Sequence, residues 1–202
     1  YYAYYLAKIG GFNLVSRELG VSRPYRSFYN QTYKGEVPGL DDFMADMTTV
    51  TAGDDSWVIT LLPSSGANEP EFPTQFHILY GGAKGDETFA GSDLLVKDID
   101  KADKLFTDLE NVMDSQFGFK TDRQRYHSSA SPDIFLRKLD NSSAVNGFVL
   151  RIAWSVLLWS SRRMEVAKTI AEVIQKDLLP GSQINNDPDL GVKSIGYSDY
   201  AD

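Results

Sequence analysis

The sequence predicts an α+β domain in which an antiparallel sheet carries two helices on one face, behind an N-terminal helical and aromatic arm. Three observations predict it. From Gln75 onward the patterns run strand, helix, strand, strand, helix, strand, the split β-α-β order of ferredoxin-like folds. Gly147 to Trp159 alternates without a break, with Phe148, Leu150, Ile152, Trp154, Val156 and Leu158 on one face. Each of the two long helical patterns has a single apolar stripe, which places both on the same side of the sheet.

Residues 1–55 form the arm and 56–202 the α+β domain. In the arm, Tyr2, Tyr5, Leu6 and Ile9 share a helical face, and Gly10-Gly11 loosen the chain. Phe12, Leu14, Val15 and Leu19 resume the pattern up to Gly20. An aromatic loop over 21–39 leads to a short helix from Leu40 to Met47. Strands are expected at Ser56–Leu62 and Gln75–Tyr80, bounded by Gly53-Asp54-Asp55 and by prolines. Asp100 opens a helix to Phe117, capped with help from Asp103 and buried through Ala102, Leu105, Phe106, Leu109, Val112 and Met113. Asp133–Leu139 reads as a third strand and Leu190–Tyr197 as a closing one. Between them lie the long strand and the helix Ser161–Leu179, with Val166, Ala167, Ile170, Ala171, Val173, Ile174 and Leu178 at helical spacing and Pro180-Gly181 as its stop. Trp154 is expected in the core.

Composition narrows the function. At 42% hydrophobic and 12% aromatic, 202 residues can fill a core. A net charge of −8 argues against nucleic acid or an anionic membrane surface as the main partner. With no cysteine, thiol catalysis, disulfides and thiolate metal sites are excluded. No stretch reaches the roughly 20 apolar residues of a membrane helix. Two sequons, Asn30-Gln31-Thr32 and Asn141-Ser142-Ser143, lean towards a secreted glycoprotein. The start at Tyr1-Tyr2-Ala3-Tyr4-Tyr5 reads as an interior cut.

The chemistry-bearing residues are few. His77, between Phe76 and Ile78 in a strand, reads as a half-buried structural histidine. His127-Ser128 puts a base beside a serine, but no Gly-x-Ser-x-Gly elbow accompanies it. Gly81 to Asp86 lacks both phosphate-loop spacings and reads as a wide connection. Asp98, Asp100 and Asp103 lie in a continuing helical period with no closing Glu, so they read as caps and solvated face, and no metal site is expected. Arg162-Arg163 begin a helix, where positive charge opposes the helix dipole, so a carboxylate partner is expected for them. Arg151 is the single charge inside the long strand and needs a partner wherever it is buried.

The C-terminal quarter resembles a known group. A strand ending in Trp, a helix, a loop and then Tyr197-Ser198-Asp199-Tyr200-Ala201-Asp202 is similar to the end of the substrate (cap) domain of berberine-bridge and vanillyl-alcohol-oxidase type FAD oxidases. There a Tyr-x-Asn-Tyr/Glu-Ala-Asp segment returns towards the flavin. Asp199 stands here where Asn is usual, and the family's FAD-binding half has no counterpart in these residues. The resemblance implies the substrate-shaping portion of a FAD-dependent oxidase, with FAD held by the rest of a larger enzyme. It implies a small-molecule substrate met by Tyr197, Asp199, Tyr200, Arg151 and Ser155, and it names no catalytic base. The alternative is a non-enzymatic binding or assembly subunit, an oligomer that docks on a protein partner through the aromatic arm of Tyr1 to Tyr33.

Overall fold

The structure is a computed structural model that describes residues 2–15, 40–53, 55–64, 74–81, 94–124, 145–157 and 160–186. In chain order the elements are α1 (Tyr2–Gly10), α2 (Leu40–Val50), β1 (Trp57–Ser64), β2 (Phe76–Leu79), α3 (Ile99–Phe117), β3 (Thr121–Gln124), β4 (Asn146–Ala153), α4 (Trp154–Leu157) and α5 (Ser160–Leu178). The strands expected at 133–139 and 190–197 lie outside the described residues.

Four strands form one sheet in the order β1-β4-β2-β3. The sheet is mixed, which corrects the antiparallel expectation. β1 and β4 are parallel, β2 and β3 are parallel, and only β2 and β4 run antiparallel. β3 lies directly beside β2, so among the described strands no antiparallel strand separates that parallel pair. The segment after Gly118 hides this strand because Thr121-Asp122-Arg123-Gln124 has no apolar alternation. It is a short polar strand at one end of the described sheet, where charge is ordinary.

Period two sorts the strand residues onto two faces. Phe76, Ile78, Phe148, Leu150 and Ile152 join the main core with Leu6 and Ile9 of α1, Leu105, Phe106, Leu109 and Met113 of α3, and Val166, Ile170 and Ile174 of α5. The two long helices therefore share one face, as their single stripes require. On the other face Val58, Leu79 and Val149 meet Met47 of α2 together with Leu95 and Val145. Central strands β2 and β4 are thus covered on both sides, and Val149 on the second face is as buried as Leu150.

The long strand is shorter than its pattern. It ends at Ala153, the chain turns through α4, and Trp154 is 51% exposed, not a core residue. Hydrogen bonding gives the reason. The β1 ladder ends at Ser64 opposite Ala153, and Ala153 N–H already reaches Gln75 O at 2.9 Å. With its ladder at an end, the backbone satisfies itself by turning helical. Val156 then re-enters the core at helical spacing. Trp154→Ala should accordingly cost less than about 1 kcal/mol, far from the ~3–5 kcal/mol of an emptied aromatic core site. A urea midpoint shifted by the larger amount would mean that Trp154 is packed.

Helix ends follow their chemistry. The cap of α3 is Asp98, whose carboxylate accepts from Lys101 N at 3.0 Å, while Asp100 sits in the first turn. Asp103 is not a cap partner; it pairs with Arg123 at 2.6 Å. Gly11, at φ +66°, ends α1, with Phe12 N–H bonded back to Ala7 O at 2.9 Å. The ring of Phe12 lies against Gly10, where an added Cβ would come within 2.2 Å of it. Gln175 then ties the arm down, its amide donating to Gly10 O at 2.9 Å and to Gln183 O at 3.1 Å. Burial pushes the Tyr2 phenol well above its ordinary value. This part of the arm packs on its own domain, against α5; residues 16–33 lie outside the described set.

Among the described residues Arg162 and Arg163 meet carbonyls and rings rather than the expected carboxylate. Arg162 donates to Phe117 O at 3.2 Å and lies 4.6 Å over the Phe119 ring; Arg163 donates to Leu157 O at 3.3 Å and lies over Tyr5. Phe117 closes α3, so Arg162 faces the negative end of that helix dipole, which offsets the misfit at the start of its own helix.

Charge also joins α3 to α5. Asp108 accepts from Lys176 at 2.7 Å and from Lys104 at 3.2 Å, and Lys104 pairs with the buried Asp177. The hydrogen bond from Lys176, then that from Lys104, holds the Asp108 carboxyl below its usual range. A carboxyl lowered in the folded state adds stability that is complete above the unfolded value, about pH 4, and is lost as pH falls through the folded one. Melting temperatures of the wild type and Asp108→Asn should therefore converge below about pH 4. Parallel curves from pH 7 down to acid unfolding would show that the pair contributes nothing.

Candidate functional site

Three titratable side chains line up across the second sheet face. The register sets Arg151 of β4 opposite His77 of β2, and His77 opposite Asp122 of β3, with Leu62 of β1 completing the row. Side chains directly opposite on one face lie within about 5 Å at Cβ, so the row is a single patch.

Its alignment comes from how β2 starts. Gln75 O accepts Ala153 N–H at 2.9 Å, and the Gln75 side-chain oxygen accepts Lys120 N–H at 3.0 Å. Phe76 N–H reaches Lys120 O at 3.3 Å. One glutamine thereby fixes β2 against both neighbours. A slip of one residue would send His77 to the helix face and Phe76 out of the core.

His77 is fully buried. Its Nε2 lies 3.1 Å from Thr74 Oγ1 and 3.2 Å from Thr74 O, and its Nδ1 lies 3.7 Å from Asp122 Oδ2. The Thr74 carbonyl pairs only with a protonated Nε2 and the Thr74 hydroxyl with either form, so the roles of the two ring nitrogens follow the tautomer. The Thr74 hydroxyl meanwhile donates to Phe76 O at 3.0 Å. The Asp-His-Thr order looks like a hydrolytic triad, but the Thr74 hydroxyl donates to Phe76 O, so among the described residues no contact marks Thr74 as an activated nucleophile. What the arrangement can do is hold and orient. Asp122 keeps 39% of its side chain exposed and Arg151 is half-buried, which leaves a basic and an acidic group reachable beside a fixed imidazole.

Of the residues expected to meet substrate, Arg151 is in the row. Ser155 is not on the same strand face: it follows the end of β4, exposed on the turn of α4. Tyr197, Asp199 and Tyr200 lie outside the described residues, as does His127. Asp122 and Thr74 were not foreseen, because the first sits in a strand without apolar pattern and the second before a strand, among prolines.

Among the described residues no group of three His, Asp or Glu is placed to hold a metal ion. No described helix is long and apolar enough to cross a membrane. The glycines described with positive φ (Gly11, Gly81, Gly118 and Gly181) stand apart in the chain and form no pyrophosphate cradle. No protein-family model, curated protein or solved structure matches this chain.

Proposed function

We propose that this chain is a binding domain, the substrate-shaping portion of a FAD-dependent oxidase, with Arg151 and Asp122, set either side of the buried His77, as its polar contacts. The row carries the reading. It sets a basic and an acidic side chain in fixed register either side of a buried imidazole, rather than a solvated charge run on an outer helix face. Flavin chemistry would belong to residues other than those described, and this surface would fix a small polar molecule by charge and hydrogen bonds. The contribution of Tyr197, Asp199 and Tyr200, and strands at 133–139 and 190–197, are parts of the same proposal.

The assembly reading draws less support. The apolar face of α1 is already used against α5, with Leu6 and Ile9 in the core. For the same reason, deleting residues 1–33 would test folding rather than association, so self-association is better read from sedimentation of the intact chain.

The test combines flavin absorbance of the purified protein with thermal shifts against a panel of small alcohols and carboxylates. A compound that binds the native state at one hundred times its Kd adds about 2.7 kcal/mol. Arg151→Met keeps the apolar stem and removes the charge. It and Tyr197→Phe should abolish the shift while leaving the unliganded melting temperature within a few degrees. A colourless protein that no compound stabilises, sedimenting as a defined oligomer, would replace this reading with the assembly one.

A further inference from the structure

We draw no further inference here: the strongest candidate, the exposed Trp154 beside Ser155 on the single turn of α4 at the end of β4, is an apolar patch for which nothing in the structure shows what covers it.

Discussion

Phe106→Ala is expected to lower the unfolding free energy by about 3–5 kcal/mol, a large part of what a domain of this size commands. Phe106 has no exposed surface and stands at the meeting point of α3 with two strands. Its ring meets Phe148 of β4 edge-on, with centroids 5.0 Å apart, and Tyr80, just past β2, at 5.8 Å. The Arg123 guanidinium of β3 lies 5.6 Å from its centre. Truncation removes the buried ring and leaves a cavity that neighbours on a paired sheet cannot easily fill. The aromatic contacts are the lesser part, about 0.5–1.5 kcal/mol each. Arg123 keeps its pairs with Glu110 at 2.8 Å and Asp103, so the charge is not orphaned. Cavity formation therefore dominates, and Phe106→Leu should recover more than half of the loss. Denaturant midpoints at unchanged slope measure both variants. A loss under about 1.5 kcal/mol for the alanine variant would mean that the site collapses or is looser than its burial implies.

What the sequence discloses and what it hides divide along physical lines. The stripes of α3 and α5 were legible because a helix bonds to itself, so its period needs no partner to be expressed. Leu105, Phe106, Leu109 and Met113, like Val166, Ile170 and Ile174, are buried as their spacing requires. Strands depend on neighbours. Alternation through Trp154 and Val156 shows which face could be buried, but β1 ends opposite Ala153 and the alternation ends with it. The direction of pairing is hidden for the same reason. β1 and β4 run parallel although more than 80 residues separate them, and no local pattern carries that information. In the site, Arg151 announced itself as a lone charge in an apolar strand. Its row did not, since Asp122 sits in a strand with no apolar residue to mark it.

Asn146→Leu is the other substitution with a large expected effect, about 2–4 kcal/mol, and its cause is hydrogen bonding rather than packing. Asn146 is 2% exposed at the first position of β4. Its Oδ1 accepts two backbone donors, Lys97 N–H and Asp98 N–H, each at 2.8 Å, and its Nδ2 points to Asp55 Oδ1 at 3.4 Å. One amide thus joins the start of the central strand to the capping residue of α3. Neighbouring bonds hold the same junction, with Gly147 N–H on Leu95 O at 2.9 Å and Asn146 N–H on Ser56 O at 2.8 Å. Leucine has a similar shape but no acceptor, so two part-buried donors lose their partner, at up to about 1–3 kcal/mol each where water does not replace it, while the added apolar burial returns only part of that. The first turn of α3 should feel it most, because Asp98 can cap Lys101 only while its own backbone is held. Amide exchange separates this from a general loss of stability: Lys97 and Asp98 should exchange faster than global unfolding accounts for, while Ile170 and Ile174 in α5 follow the global rate. If the total loss is below about 1 kcal/mol and both amides stay protected, another acceptor has taken the place of Oδ1, and Asn146 is not what anchors α3 to the sheet.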